Sequence, residues 1–302
     1  MANEILYSGL GDLRVAEILH NELRLQLADR FSLWGHPAVV YAGNCAGSGS
    51  TTIKVPLVGT NDMAAVAEGT PVANTALTDD SETVTVAGQH LQRQISDLAE
   101  LTDSVGLNVR YLVQEMVGAA ARRWMAMLCG IIDDHTETAG ATGQALTVDD
   151  YLDARYALIQ AGVPGPYLAV LAPEQVTDLL NDLRGEVGPL QLRTDSQDIF
   201  AASGQGIVAN YLGDDIVSSS YVATATGDRK GALFGIGAHM YADGTPNIIN
   251  LGGSVIPAGQ QVVVEIERDA SGRLTKVVGS YYVGLAMLED ARGVTITSAA
   301  AS

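Results

Sequence analysis

Cysteine is nearly absent from this chain of 302 residues. The two cysteines, Cys45 and Cys129, are too few to build a four-cysteine zinc site, and they show no CxxC spacing. We therefore expect both to be reduced thiols rather than parts of a disulfide framework.

Basic residues and long apolar runs are also scarce. Seventeen basic residues against 35 acidic ones give a net charge of −18, which argues against a reader of nucleic acid, since such proteins cluster Lys and Arg against phosphates. No apolar run approaches the ~18 residues of a membrane span. The opening Met-Ala-Asn-Glu has neither the basic region nor the apolar core of a signal peptide. The sequence predicts a soluble protein made inside the cell.

The composition favours a folded protein. Hydrophobic residues make up 47% of the chain and charged residues 17%, which excludes intrinsic disorder. A chain of this length buries about 75% of its unfolded surface, enough for roughly two domains or one elaborate domain. The 33 glycines follow no fixed period, so they indicate many turns rather than collagen.

The first hundred residues predict an arm followed by a hairpin. Residues 12–31 have helical apolar spacing, and the Gly/Ser-rich stretch 43–50 follows them. This helix either docks on a partner or packs on its own domain. Residues 51–58 and the alternating 83–86 predict the two strands of a long hairpin. A two-stranded extension cannot bury its own faces, so we expect a neighbouring subunit to cover it.

Residues 104–134 predict an unusually long helix. Its broad apolar stripe extends over 31 residues, or ~46 Å at 1.5 Å per residue, almost three times the average helix length. We expect Asp133 to His135 to end this helix, which would act as a structural spine.

The second half of the chain predicts an α/β section and then a β-rich one. Thr147 and Asp150 predict a capping box for a helix that ends at Gly162, and Pro173 begins a second helix through Leu183. Further predicted strands cover residues 167–171, 207–210, 216–218, 232–236, 261–267, 274–278 and 281–287. We expect the tail 297–302 to fray.

The motifs of common enzyme classes are missing. Residues 47–52 lack the Gly-Lys-Ser/Thr ending of a phosphate-binding loop, and Met240 stands where a dinucleotide fingerprint would need its third glycine. No GxSxG or HExxH motif occurs. The five histidines are scattered, and the four Asp-Asp pairs are interpreted as solvated turns or helix-end acids. The sequence therefore predicts no catalytic residue, no cofactor and no metal site.

The order of the elements resembles the major capsid protein of tailed bacteriophages, with the Hong Kong 97-type fold. The local match is closest over residues 146–175, from Leu-Thr-Val-Asp-Asp-Tyr-Leu to Ala-Pro-Glu-Gln, where a capped helix leads to a glycine, a strand and a Pro-Glu-Gln helix start. The stretches 231–237 and 281–284 are also similar to that family. The resemblance covers nearly the whole chain, and it rests on the order of the elements rather than on a single motif.

The resemblance implies an α+β fold with an N-terminal arm (1–50), an extended loop (51–98), a peripheral domain with the spine helix (99–145 and 244–302) and an axial domain (146–243). It implies a structural protein of the virion capsid, made in the host bacterial cytoplasm. Pentamers and hexamers of such a protein tile an icosahedral shell around double-stranded DNA. The net charge of −18 would keep the inner wall of the shell from binding that DNA tightly. Alternatively, the charge serves only the solubility of the protein.

Two departures from the family shape these expectations. The member that names the fold cross-links its subunits through a loop lysine, whereas Lys54, the loop's only lysine here, lies near its base. We therefore expect a shell without covalent cross-links. Only about 50 residues precede the hairpin and they show no heptads, so a separate scaffolding protein is expected, beside a portal and a possible decoration protein.

Interface residues are the remaining candidates. The arm's apolar stripe should dock on a neighbour, and several charged residues are candidates for contacts between subunits. The full set is Ile18, Leu19, Leu23, Phe31, Lys54, Glu68, Arg93, Arg110, Arg122 and Arg123. Two other functions stay open: an encapsulin-like nanocompartment shell, which shares the fold, and more distantly an α/β enzyme formed by residues 146–243.

Overall fold

The computed structural model describes residues 36–58, 79–97, 107–183, 207–244 and 262–300. In these ranges the chain forms three sheets, one long helix and two shorter helices. The predicted helix at 12–31 lies outside the described residues.

The helices and turns alternate with the strands. The helices are α1 (Leu107–Cys129), α2 (Val148–Gln160) and α3 (173–183), and two 3-10 turns cover Ile132–Asp134 and Asp290–Arg292. The strands, in chain order, are β1 (Val39–Asn44), β2 (Thr52–Val58), β3 (Asp79–Thr85), β4 (Ala87–Ser96), β5 (Thr138–Ala139), β6 (Leu168–Leu171), β7 (Ile207–Tyr211), β8 (Asp214–Ser218), β9 (Ala223–Ala225), β10 (Asp228–Phe234), β11 (His239–Asp243), β12 (Val262–Asp269), β13 (Leu274–Met287) and β14 (Gly293–Ala299).

Two large sheets form the body of the molecule. The five-stranded sheet runs β1-β11-β13-β12, with β4 also paired to β13. The seven-stranded sheet runs β5-β14-β10-β6-β8-β7, with β9 paired to β10. One apolar core, which includes Trp124, Leu128 and Phe234, joins α1 to both sheets. A second core packs α2 and α3 on the seven-stranded sheet.

The predicted hairpin is present, with a longer returning strand. β2 and β3 pair antiparallel from Thr52↔Thr85 to Val58↔Asp79, so the returning strand begins four residues before the predicted Thr83. The chain then continues into β4, a strand that the sequence pattern does not predict. β4 pairs with β13 over ten residues and therefore belongs to the five-stranded sheet. The two-stranded sheet consists of β2 and β3.

The long helix ends earlier than predicted. α1 ends at Cys129, five residues before the predicted end, and its described part spans 23 residues or ~34 Å. The amide of Gly130 is shared between the carbonyls of Ala126 and Met127, and the chain then tightens into a 3-10 turn. Glycine is a weak helix former, and acids such as Asp133 are unfavourable at the negative end of a helix, so an earlier end is stable.

The predicted helix signals of the α/β section are confirmed. Thr147 and Asp150 form a reciprocal capping box at the start of α2, and α2 ends before Gly162, whose φ of +72° suits glycine. Residues 173–183 are helical, as Pro173 predicted. All four residues of β6 are buried, as expected for a central strand.

Two expectations for the C-terminal part are wrong. The strands predicted at 274–278 and 281–287 are one continuous 14-residue strand, β13, because β12 and β4 pair along its two edges. The predicted fraying tail instead forms β14 up to Ala299, between β10 and β5 in the seven-stranded sheet. Ile296 and Ser298 are fully buried there.

Strands from both sides of the predicted domain boundaries share a sheet. β14 pairs with β10, although the former falls in the predicted peripheral part and the latter in the predicted axial part. β11 in turn pairs with β13. The domain division at 145/146 and 243/244 stays a prediction.

Candidate functional site

The hairpin of β2 and β3 presents exposed side chains along most of its described length. On β2, Lys54 and Pro56 are exposed while Ile53 and Val55 are half-buried. Among the described strands, β2 and β3 pair only with each other. A two-stranded ribbon with exposed faces is a surface that a second polypeptide can cover.

The base of the hairpin is anchored firmly. Val84 is fully buried and packs with Val86, Met240 and Ala242 beneath the ribbon. The hairpin is therefore attached to β11 at its base.

α1 packs closely on β13, against the face opposite the hairpin base. A Cβ on Gly279 would lie 3.0 Å from the sulfur of Met116, so the glycine permits the close approach of helix and strand. A cleft of about 210 Å³ remains between α1, β4 and β13, with Leu91 and Tyr281 among its apolar lining and Arg123 at its polar side.

Two of the predicted interface arginines lie on the exposed face of α1. Arg122 and Arg123 are both exposed. Arg123 donates from Nε to Oε1 of Gln89 at 2.9 Å, and Arg122 lies near enough to Glu115 to help lower the pKa of that carboxyl. The guanidinium group of Arg123 is thus tied to β4, and that of Arg122 lies close to Glu115.

Arg93, another candidate, has a partner in its own chain. Its Nε donates to Oε2 of Glu115 at 2.9 Å, and its second nitrogen also binds that carboxylate. The hydrogen bonds from Arg93 are the largest cause of a lowered pKa for Glu115. The sequence does not predict Glu115 as the partner of Arg93, because the two residues lie 22 positions apart on different elements.

The remaining candidates are only partly described. Arg110 lies on α1, where only the backbone is described, and Lys54 is exposed on β2. Ile18, Leu19, Leu23, Phe31 and Glu68 lie outside the described residues. The structure thus brings together Arg93, Arg122 and Arg123 around α1, next to β4.

A different polar group is buried in the α/β section. The Nε of Arg155 lies 2.9 Å from Oδ2 of Asp214, and the hydroxyl of Tyr151 lies 3.4 Å from the same oxygen. Burial raises the pKa of Asp214, although Arg155 opposes the shift. The interpretation of every Asp-Asp pair as a solvated turn or helix end is therefore wrong for Asp214, which is 2% exposed.

Asp214 joins two elements of the α/β section. Arg155 lies on α2 and donates to Asp214 at the start of β8, so the pair holds α2 against the turn before β8. Within the described ranges, no group of three or more His, Cys, Asp or Glu side chains is placed to hold a metal ion. No described helix is long and apolar enough to cross a membrane.

Comparison with known proteins rests on structure. No protein-family model and no curated protein matches the sequence. The capsid of Ralstonia phage GP4 matches with a TM-score of 0.62 at 10% identity, over 87% of this chain and 86% of that chain. A chain of Mycobacterium phage Che8 matches with a TM-score of 0.56 at 17% identity, over 86% and 89%. This chain has the Hong Kong 97-type capsid fold.

An encapsulin shares the capsid fold. The holo-SrpI encapsulin complex from Synechococcus elongatus matches with a TM-score of 0.59 at 12% identity, over 85% of this chain and 84% of that chain. The backbone similarity therefore does not separate a phage capsid from an encapsulin. In either case, the α+β fold predicted from the order of elements is confirmed.

Proposed function

We propose that this chain is the major capsid protein of a tailed phage, and that it assembles through pentamers and hexamers into an icosahedral shell around double-stranded DNA. The observation that supports this most is the hairpin β2–β3, which is anchored at its base on a capsid fold and pairs with no other described strand. The proposed location is the virion capsid, after synthesis in the host bacterial cytoplasm. A scaffolding protein, a portal and a decoration protein are the further proposed partners.

The hairpin and α1 carry opposite charges. β3 exposes Asp80 and Glu82, and α1 exposes Arg122 and Arg123. We propose that the hairpin of one subunit lies across α1 of its neighbour, so that these acids face the two arginines. An exposed ion pair contributes only ~0–1 kcal/mol, but the contact would repeat at every subunit of a closed shell.

Electron microscopy of the purified full-length protein, beside size-exclusion chromatography, tests the assembly. Icosahedral particles, or rings of five and six subunits, support the proposal. A monomer that persists after co-expression with the scaffolding protein contradicts it.

A deletion in the hairpin tests whether the hairpin carries the contact between subunits. Val58 and Asp79 are paired, so replacing residues 59–78 by Asn-Gly keeps both described strands and closes them with a tight turn. We expect this variant to remain a folded subunit that does not form shells. Intact shells would show that the hairpin does not carry the contact.

Charge reversal tests the proposed pairing. Asp80→Lys with Glu82→Lys, or Arg122→Glu with Arg123→Glu, should each block assembly, whereas the four changes together should restore it. Arg273→Glu, an exposed arginine in the β12–β13 turn, is the control and should leave assembly unchanged. Failure of the fourfold variant to assemble while Arg273→Glu assembles would contradict the pairing.

We further propose that the shell is held without covalent cross-links. Lys54, the only lysine between residues 51 and 98, is exposed on β2 near the hairpin base rather than at its tip. On a denaturing gel, boiled shells should run as a single band of the 31.5 kDa chain. A ladder of heat-resistant oligomers would overturn this part of the proposal.

An encapsulin-like shell is the second candidate, favoured by the similarity to the holo-SrpI encapsulin complex. The contents of particles isolated from the native source distinguish the two. Nuclease-protected double-stranded DNA of genome length supports the capsid, while a co-purifying cargo enzyme without DNA supports the nanocompartment.

A further inference from the structure

Two histidines meet in the interior of the molecule. His239 lies on β11 and is fully buried, and His135 follows the first 3-10 turn and is 3% exposed. Their Nε2 atoms are 3.3 Å apart, with the two ring planes inclined by 59°. At this distance one Nε2 carries a hydrogen and the other accepts it. The two rings form a dyad.

The surroundings decide which nitrogen is the donor. Nδ1 of His135 lies 3.2 Å from the carbonyl oxygen of Asp290 and 3.4 Å from its Oδ1, and both of these atoms are acceptors. Nδ1 of His135 therefore carries the hydrogen, and its Nε2 accepts from Nε2 of His239. Nδ1 of His239 is then a bare acceptor, which agrees with its lack of a hydrogen-bond partner among the described residues.

The dyad lies at the seam of the two large sheets. His239 belongs to the five-stranded sheet, and its ring packs edge-on against Phe234 of the seven-stranded sheet, with centroids 4.6 Å apart. A Cβ on Gly293, at the start of β14, would fall 2.1 Å from Nε2 of His135, so the ring packs against the backbone there. Next to the dyad, the carbonyl of Ala238 accepts from the amides of Leu288 and Glu289.

A proton added to the dyad disturbs its hydrogen bond. Protonated His135 points an N–H at the N–H of His239, and the bond survives only if His239 moves its own hydrogen to the unpartnered Nδ1. A second proton leaves two donors facing each other. Burial is the largest cause of a lowered pKa for both rings, and the nearby His135 lowers the pKa of His239 further, to about 3.

Within the described part of the chain, few other charges lie around the dyad. Asp290 and Asp134 act on His135 and favour its charged form, though less strongly than burial opposes it. Arg292 lies on the same turn as Asp290, with its guanidinium bound to the carbonyl of Ile236 at 2.8 Å and to the carboxylate of Glu289. The two aspartates bias the first proton towards His135.

We propose that His135 and His239 form an acid-sensitive latch between the two sheets. The neutral pair holds β11 against the β13–β14 connection and the start of β14. Protonation of both rings breaks the hydrogen bond between them, and the seam opens. The latch goes beyond the proposed shell function, since it concerns the fold of each subunit and holds for any role of the chain.

The direction of the pH effect follows from the lowered pKa values. An opened or unfolded state, with histidines near 6.5, binds more protons below that pH than the closed state does. The stabilisation is therefore present above pH 6.5 and is lost as the pH falls. A ring whose pKa is about 3 in the closed state raises the opening constant by roughly 25-fold between pH 7 and pH 5.

Hydrogen–deuterium exchange of the full chain at pH 7 and pH 5, corrected for intrinsic exchange rates, measures this opening. We expect peptides over residues 236–243 and 286–293 to open at least tenfold more at pH 5, while the peptide over α2 (148–160) stays unchanged. An equal increase in the α2 peptide, or no increase at the seam, would overturn the latch.

Matched glutamine substitutions separate the dyad from other acid effects. In His239→Gln the side-chain amide can donate to His135 but does not titrate, so the pH dependence at the seam should fall to the smaller part that His135 alone supplies. His90→Gln makes the same change at an exposed histidine on β4 and should keep it. A pH dependence as large in His239→Gln as in the wild type contradicts the proposal.

Wild-type protein supplies a test that needs no variant. If His239→Gln fails to fold, the NMR titration of the histidine side chains in the unmodified chain decides. Buried, neutral rings at pH 5.5 support the latch, whereas two rings that titrate near pH 6.5 overturn it.

Discussion

Gly284 and Thr85 lie so close together that a Cβ on Gly284 would fall 2.2 Å from the carbonyl oxygen of Thr85. The contact joins the middle of the five-stranded sheet to the last residue of the hairpin. Because the obstructing atom belongs to the backbone, no side-chain rotation can relieve it. The glycine therefore sets how closely the hairpin base can approach β13.

Gly284→Ala should destabilise the fold by about 1–3 kcal/mol, because the added methyl group forces β3 away from β13. Denaturant unfolding measures the loss. Gly130→Ala is the control, since its Cβ would meet its nearest atom at an ordinary 3.4 Å and should change stability little. Equal unfolding midpoints for the two variants would contradict the close approach at Gly284.

Arg155 is expected to be essential to its pair with Asp214. Arg155→Met leaves the carboxylate of Asp214 buried without its cation and should cost about 3 kcal/mol at pH 7. Replacing both residues, as Arg155→Met with Asp214→Leu, removes the buried charge and should recover much of the loss. Urea denaturation of the wild type and both variants tests this, and a double variant no more stable than the single one would contradict it.

The same pair predicts a pH dependence. The pKa of Asp214 is raised by burial and rises further once Arg155 is gone, so the folded variant keeps its proton at a higher pH than the unfolded chain does. The stabilisation of the folded variant by this proton is complete below the pKa of Asp214 in the unfolded chain, and it is lost as the pH rises through the higher pKa of the folded variant. The penalty of Arg155→Met should therefore be smaller at pH 5 than at pH 7, and an unchanged penalty would show that Asp214 stays charged.

Gln175 ties the start of α3 to the seven-stranded sheet. Its fully buried side chain accepts from the amide of Ala172 and donates to the carbonyls of Arg229 and Ile296. Gln175→Leu leaves these groups without the amide and should cost about 1–3 kcal/mol in chemical denaturation. Gln160→Leu, at the exposed end of α2, should change the free energy of unfolding by less than about 0.5 kcal/mol.

Cys129 should resist alkylation in the native protein. Its thiol is buried and donates to Oγ of Ser219 at 3.5 Å, and burial raises its pKa to about 11. At pH 8 almost no thiolate is present, so iodoacetamide should modify Cys129 only after unfolding. Mass spectrometry with and without denaturant checks this, with the partly exposed Cys45 as the internal comparison. Rapid native labelling of Cys129 would count against its burial.

Local signals in the sequence determined several elements. The capping box of Thr147 and Asp150, the glycine stop at Gly162 and the start of α3 at Pro173 all depend on residues within a few positions of one another. The alternation in 83–86 predicted one strand of the hairpin for the same reason. Such signals are independent of what packs against the element, so they can be read without the fold.

The resemblance to the capsid fold could also be stated from the sequence, because the order and lengths of elements survive when identity falls to 10–17%. The candidate contact surface was only partly predictable. The exposed Arg122 and Arg123 were found as charges on a predicted helix. Gln89 and Glu115, which position the arginines, were not found, because neither is a neighbour in sequence.

Tertiary structure alone decided the other features. β13 is one strand because β12 and β4 pair along its edges, and the tail is ordered because β10 and β5 flank β14. His135 and His239 are 104 positions apart, yet their rings share a hydrogen bond. Burial of Asp214 likewise depends on α2 lying over it. Each of these features depends on contacts that form only when distant segments of the chain pack together. The residues next to them in sequence therefore give no signal of the burial or of the strand pairing.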